Sequence, residues 1–529
     1  MTMGPSAVQP SSPDTVTAPH STGKQRPRPS LLDIVFIIWA VVIPIGFGYR
    51  LLNSDGDLAR HLRLGHTMLA EQRLMNTDTF SHTAAGRPFL PFEWLSELAY
   101  AAAERAGGLA GVTVFAGLLL ALTFTLLVRF LLRQGADPFL AYLASMAAAV
   151  LTGGHWLARP HLFTLLAVVI LLDLLMRPRQ TLWQYPLLFA IWSNFHGGFL
   201  YGFLIIGGFL AGEFLEEWRA GRKAQARATA RLRGMTLALA VGGSLVNPHG
   251  VRLLAHVGGF FDSNFLRYTN EFLSPDFHTL NGKLFLVALV GVMAALAFTP
   301  RRPPLSWLLL ILGNTAIALI AQRNIELFAL VALPLTVLHV DRPWRRLRWN
   351  ARPRAVFERE HRGVHGGIGA GIVALLLIGV AAMKGEVAGV ELTPNEFDPG
   401  RFPVQAVVRA RAAGVSGPIF NEFIWGGYLL YAWPEQPVFI DGGTDHYGDE
   451  VFGEYMRAWN LDPGWRDVLA RRGIEWVLVD PRARLAHELV LGGDWGIWYC
   501  DSVAVLLERT PSKGAGRDSL SRCYPPKRR

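Results

Sequence analysis

Hydrophobic positions come in long unbroken runs for most of the chain. Eleven of them fall near 31–52, 108–132, 139–156, 161–176, 182–194, 197–215, 231–246, 283–299, 305–321, 324–340 and 364–383. A helix needs about 20 apolar residues to cross a bilayer, so each run predicts a crossing, with 182–194 short enough for a half-helix. The polar stretch 53–107 separates the first two runs. Within it Leu58, Leu62, Gly65 and Leu69 recur at helical spacing, with Arg60, Arg63 and Glu71 opposite, which predicts a helix lying in the interface. Thr77 to Ser81 and Ala85 to Pro88 read as turns, and Glu93 to Arg105 as a second interfacial helix. From about Glu391 the period changes. Strand-like runs at Pro418–Phe420, Pro437–Ile440, Trp476–Val479 and Val503–Leu507 alternate with helical stretches at 401–413 and 463–472. Segment 391–511 is long enough for one small α/β domain. The ends, 1–30 and 512–529, read as disordered tails. The expected fold is a polytopic α-helical membrane protein, residues 31–390, with a C-terminal α/β domain.

Charge supplies the orientation. Hydrophobic residues make up 51% of the 529 and charged ones only 17%, well below a soluble chain's share. The net charge of +10 would suit a nucleic-acid binder, but the arginines sit in short loops between apolar runs. They include Arg129 with Arg133, Arg177 with Arg179, the loop from Arg219 to Arg233, Arg301 with Arg302, and eight arginines between Arg342 and Arg362. With the N-terminus inside, all of these loops are cytoplasmic, as the positive-inside rule requires, and nucleic acid is not an expected partner. The expected location is an inner membrane, with the C-terminal domain on the extracytoplasmic side. The first apolar run is too long for a signal-peptide core. Cys500 and Cys523 are the only cysteines, so there is no disulfide framework, and a bridge between them is not expected.

The opposite face then collects loops rich in His, Asn, Arg and Glu: the 53–107 stretch, 154–161, 193–198, 247–250, 251–282 and 322–326. Five successive loops of this kind predict a shared water-filled cavity. Asp55 and Asp57 share one face of an extended segment, with Gly56 between them allowing close approach. Such a pair suits a general base or a hard cation; Asp57 also suits the N-cap of the following helix. Arg159, His196, His249 and Arg323 have the chemistry to hold a phosphate. His61, Glu93, Trp94, Asn194, Asn247 and Glu271 are candidate substrate contacts on the same face. In the C-terminal domain Trp425, Tyr428, Asp441 and Asp445 stand in Gly-rich segments after strand-like runs, where rings and carboxylates suit sugars or, equally, turns and core. His155 and His161 flank Arg159-Pro160 and read as structural. No His/Cys spacing suggests zinc, and no Gly-rich nucleotide loop stands at a strand–helix junction.

The string Asp55-Gly56-Asp57, His61-Leu62, Gly65 and Thr77-Asp78-Thr79-Phe80-Ser81, together with Trp425-Gly426-Gly427-Tyr428, resembles the GT-C superfamily of polyprenyl-phosphate-sugar-dependent membrane glycosyltransferases, in its bacterial, protein-mannosyltransferase-like branch. The resemblance extends over most of residues 31–510. It implies an inverting transfer from a lipid-linked sugar donor to a lipid, glycan or protein acceptor, with Asp55 or Asp57 as the first-loop catalytic base. This chain departs from the pattern in carrying Asp-Gly-Asp rather than adjacent acids. No second-loop acidic motif is assigned, though Asn270-Glu271 and Asp276 are candidates, and the use of a divalent cation stays open. Two other readings remain: a non-catalytic protein that binds or helps assemble lipid-linked glycans, and a transporter.

Overall fold

A computed structural model describes residues 30–259, 263–347, 351–361, 367–509 and 520–523 of the protein. Helix α1 (Leu31–Asn53) opens on a capping box: the Ser30 hydroxyl accepts from the Asp33 amide, while Asp33 accepts from the Ser30 amide (2.8 Å). Then come α2 (Asp57–Glu71), α3 (Trp94–Arg133), α4 (Pro138–Thr152), α5 (His161–Leu175), α6 (Gln184–Phe195), α7 (Phe199–Arg219) and α8 (Lys223–Ser244). They are followed by α9 (Val251–Gly259), α10 (Leu280–Phe298), α11 (Leu305–Ile320), α12 (Ile325–Trp344), α13 (Ala351–His361) and α14 (Ile368–Ala382). Every apolar run read as a crossing is helical. By length and composition five helices are able to cross a membrane: Leu31–Asn53, Trp94–Arg133, Phe199–Arg219, Leu280–Phe298 and Gln322–Trp344. His161–Leu175, Leu305–Ile320 and Ile368–Ala382 are apolar but shorter. Helix α14 turns Ile368, Ile372, Leu375 and Leu376 outward, each more than half exposed, as a lipid-facing helix does.

The expected second interfacial helix is the first third of α3. It breaks at Gly107 and Gly108, where Gly108 takes φ +64°, a conformation that suits glycine, and the apolar part follows. The loop ends sort into two groups. Arg133 and Arg177 share Asp173, and Arg345 bonds Asp341 and the Gly135 carbonyl, so the ends of α3, α5 and α12 meet. The other ends meet around Arg159. Helix α2 differs from expectation: Arg60, placed on its polar side by the sequence, is 8% exposed and pairs with Asp441 (2.9 Å). The helix is therefore packed between α3 and the C-terminal domain.

After a small hairpin, β1 (Glu386–Val387) with β2 (Val390–Glu391), the C-terminal domain builds a four-stranded sheet. Its strands β3 (Ile419–Asn421), β4 (Trp476–Val479), β5 (Trp495–Cys500) and β6 (Val505–Arg509) lie in the order β3-β4-β6-β5. The β3–β4 pair is parallel and the others antiparallel. Its helices are α15 (Val404–Ala412), α16 (Gly426–Ala432), α17 (Thr444–Asn460), α18 (Trp465–Arg471) and α19 (Arg484–Gly492). Pro437–Ile440 is not a strand of this sheet. Instead Val438 bridges Ser81 of the first loop: His82 N donates to Val438 O (3.1 Å) and Val438 N to Phe80 O (3.1 Å). Asp78, in the turn just before, accepts from Ser81 and from the Phe80 amide and pairs with His446 (2.9 Å). The loop and the domain are thus joined by backbone and by a buried side-chain hydrogen bond.

Two expectations about the C-terminus are corrected. Cys500 and Cys523 are disulfide-bonded. Within the 512–529 tail, Leu520–Cys523 forms a short 3₁₀ turn with Leu520 and Cys523 buried, because the bridge ties it to the edge strand β5. The rest of that tail and the 1–29 segment lie outside the described residues.

Candidate functional site

The segment between α4 and α5 fixes the centre of the site. Trp156 is 2% exposed and packs against Trp39, Phe47 and Phe124, while Ala158 N donates to Leu51 O (3.0 Å). These contacts hold the next residue, Arg159, against the end of α1, and Tyr100 donates to the Arg159 carbonyl (3.0 Å). The Arg159 fork spans the acidic turn: Nη1 donates to Asp55 Oδ2 (3.0 Å) and Nη2 lies 2.7 Å from Asp57 Oδ2. Its third carboxylate is Glu271, 3.9 Å away, which also receives Arg323 Nη1 (3.3 Å). Five of the sequence candidates, Asp55, Asp57, Arg159, Glu271 and Arg323, spread over more than 250 residues, therefore meet in one charged cluster.

Electrostatics follow from this crowding. Burial works against the Arg159 charge, but Asp57, Asp55 and Glu271 hold its pKa above the ordinary value. Burial raises the Asp57 carboxyl; Arg159 opposes this and Asp55 adds to it, leaving it raised. Burial alone would also raise Glu271, yet Arg323, His155 and Arg159 keep it well below the usual carboxylate range. Asp57 is not the helix N-cap; that position is Gly56, and Asp55 Oδ1 accepts the Asp57 amide (3.2 Å).

A second group adjoins the first. Glu93 lies between two imidazoles, 3.5 Å from His196 Nε2 and 4.0 Å from His61 Nε2, and His61 Nδ1 reaches Glu97 (3.3 Å). Burial and Glu97 push the Glu93 carboxyl up to about 7 against the pull of His61. His196 Nδ1 accepts from the Gly198 amide (3.0 Å) and meets the Thr164 hydroxyl (2.8 Å), which fixes the hydrogen on Nε2, facing Glu93. Burial, with Arg323 and Arg159 nearby, lowers His196 to about 3, so it offers a hydrogen bond and no charge.

The remaining candidates stand elsewhere. Trp94 donates to Asn194 (2.8 Å), whose own amide is spent on the Ala190 and Val246 carbonyls. Asn247 closes its own turn through the Ser244 carbonyl (2.7 Å). His249 joins the cluster through no hydrogen bond or ion pair among the described residues. Trp425 and Tyr428 are 3% and 5% exposed, with the Trp425 indole bonded to the Arg401 carbonyl and Tyr428 against Phe397 and Phe402; both rings are core. Asp441 is fully buried between Arg60 and Tyr447, and Asp445 pairs with His256 (3.0 Å).

These C-terminal segments nevertheless form a wall of the site. A Cβ at Gly442 would lie 1.9 Å from Asp57 Oδ1, one at Gly427 would lie 2.3 Å from Gly56 O, and one at Gly56 would lie 2.0 Å from Ile424 O. The Gly-rich motifs fit backbone against the acidic turn. The sequence reading missed His155 and Glu326 as members of the cluster: His155 bonds Glu271 (3.1 Å) and Glu326 (3.2 Å). Their position at the ends of apolar runs on one predicted face was the available signal.

No protein-family profile matches the chain, and no curated protein does. Among solved structures it is similar to the oligosaccharyltransferase of Archaeoglobus fulgidus in the apo form, at TM-score 0.51 and 13% identity over 85% of this chain and 69% of that one. The same scores hold for AglB from Archaeoglobus fulgidus in complex with an inhibitory peptide and a dolichol-phosphate. A likeness to ArnT from Cupriavidus metallidurans bound to undecaprenyl phosphate, at 13% identity over 91% and 98% of the two chains, has TM-score 0.47 and carries no weight. The chain therefore shares the helical membrane fold of an archaeal oligosaccharyltransferase.

Proposed function

We propose that the chain is a membrane glycosyltransferase that moves a sugar from a polyprenyl-phosphate donor to an acceptor hydroxyl on the extracytoplasmic side of an inner membrane, with inversion at the anomeric carbon. The observation that carries this reading is the Arg159 guanidinium clasped by Asp55 and Asp57. An acidic-turn carboxylate takes the acceptor proton as the oxygen attacks, and the bond between the anomeric carbon and the phosphate oxygen breaks on the far side. The leaving phosphate meets Arg159 and Arg323. Because a phosphate competes with Asp55 and Asp57 for the same fork, its arrival loosens a carboxylate and makes it more basic. The oligosaccharyltransferase fold supports this reading, as does the dolichol-phosphate bound by that neighbour.

The reading keeps eleven crossings with the N-terminus inside. The Cys500–Cys523 disulfide supports an oxidising, outer location for the C-terminal domain. The test is the Asp55→Asn, Asp57→Asn double variant in purified, folded protein supplied with a labelled polyprenyl-phosphate sugar and envelope acceptors. Transfer is expected to vanish; undiminished turnover rejects the proposal.

A further inference from the structure

We infer that His155, His161 and Glu326 form a zinc site beside the Arg159 cluster. The three residues come from the turn after α4, the first residue of α5 and the first turn of α12, and one ligating atom of each lies within 4.8 Å of the others. Residue spacing carries no hint of it, since His161 and Glu326 are 165 positions apart. Two of the three groups have atoms that satisfy nothing in the protein: His161 Nδ1 and Glu326 Oε1 are buried without a hydrogen-bond partner. Their residues are only 6% and 5% exposed, so bulk water does not serve them either.

His155 is arranged as a metal-bound imidazole usually is. Its Nδ1 faces Glu326 Oε2 (3.2 Å), while its Nε2 donates to Glu271 Oε2 (3.1 Å), the carboxylate–imidazole arrangement that orients a ligand and raises its basicity. An ion would replace the proton between His155 and Glu326. His161 Nε2 donates to the His155 carbonyl (3.2 Å) and stands 4.0 Å from Glu326 Oε1, so the nitrogen left for a metal is the unpartnered Nδ1. Zinc bonds of about 2.0–2.2 Å in tetrahedral geometry bring ligand atoms to roughly 3.4 Å, so the trio, now spread over as much as 4.8 Å, must draw in by up to about 1.4 Å through side-chain rotation. Two imidazoles with one carboxylate select zinc over magnesium or calcium, and three protein ligands leave a fourth position for water or a substrate oxygen. In this arrangement the Asp55/Asp57 pair keeps its arginine, and the metal sits one carboxylate away, across Glu271.

This inference does not rest on sugar transfer, and it is tested without it. Full-length protein in detergent is stripped with chelator, dialysed and titrated with zinc chloride by calorimetry, with elemental analysis of the product. One zinc per chain is expected, bound in Asp55→Asn as in wild type, weakened about 10- to 100-fold in Glu271→Gln and lost in His161→Asn and Glu326→Gln. X-ray absorption on zinc-loaded wild type, which needs no variant to fold, should show two imidazoles and oxygen donors. Zinc held equally by Glu326→Gln, or a spectrum without imidazole scattering, means adventitious binding and overturns the site, as does wild type that retains no zinc. Zinc binding with no transfer activity would leave this site standing and reject the transferase.

Discussion

Replacing Gly442 by alanine tests whether the acidic turn and the C-terminal domain act as one site. The added Cβ would lie 1.9 Å from Asp57 Oδ1, where ordinary contact begins at 3.4 Å. Its only cheap relief is the carboxylate itself, which must retreat by about 1.5 Å. The Asp57–Arg159 contact, now 2.7 Å, then opens beyond salt-bridge range. Both side chains are about a quarter exposed, so solvent screens the loss and the stability cost is on the order of 1 kcal/mol. Catalysis is less forgiving: a displacement of about 1 Å costs roughly a hundredfold in rate. The expected result is therefore a thermal transition, followed by the fluorescence of the 16 tryptophans, within a few degrees of wild type, and transfer of labelled sugar reduced about 100-fold. Gly453→Ala is the control: it lies within α17 with nothing inside 4 Å of its Cβ, and should gain about 0.5–1 kcal/mol while leaving transfer unchanged. Wild-type turnover by Gly442→Ala would show that the position of the Asp57 carboxylate does not matter.

Three further outcomes follow from the geometry. Glu93, pushed up to about 7 chiefly by burial, is neutral in the folded and unfolded chain at pH 4; above 4.5 the unfolded chain ionises first, so the folded state loses about 3 kcal/mol by pH 8. Glu93→Gln removes that slope, and melting curves that stay parallel to wild type from pH 4 to 8 would contradict it. Asp78→Ala leaves His446, the Ser81 hydroxyl and two backbone amides without their acceptor in a site where the pair is 0% and 3% exposed, a loss of about 3–5 kcal/mol. The readout is protease cleavage within 77–84, which should accelerate; an unchanged digestion rate refutes the docking role. Cys500 and Cys523 in freshly lysed cells should resist a maleimide reagent until a reductant is added, then take up two labels per chain; labelling without reductant would contradict the bridge.

The helices were legible because a period of apolar residues about 20 long has one physical meaning in a bilayer. The Gly107-Gly108 break and the strands β4 and β6 were equally open to reading, from backbone freedom and from short apolar, β-branched-rich runs. Strand β5 was not. It is an edge strand with Trp495 buried but mostly half-exposed positions after it, and its Trp-Gly-Ile-Trp-Tyr-Cys lacks the continuous aliphatic run that marked β4 and β6. Arg60 misled for a related reason: helical spacing places it opposite the leucines, but nothing local reveals that Asp441 comes to meet it. The disulfide was undervalued because the chain has only two cysteines, and pairing them requires the tail to return to a sheet edge.

The site itself was half legible, and the boundary has a physical cause. Asp55, Asp57, Arg159, Glu271 and Arg323 stood out because ionised groups at the ends of apolar helices are costly unless they pair. Sequence could name the members but not match partners, since the pairs join residues about 50 to 110 positions apart. The Gly-rich motifs of the C-terminal domain show the opposite limit. Open in sequence to ligand loops or to turns and core, they press backbone against the acidic turn at Gly56, Gly427 and Gly442, while Trp425 and Tyr428 fill core. A face closed by backbone at van der Waals contact has no room for a sugar. On the proposed glycosyltransferase reading, substrate approaches the carboxylates from the side of Glu271, His155 and Glu93 rather than from the C-terminal domain.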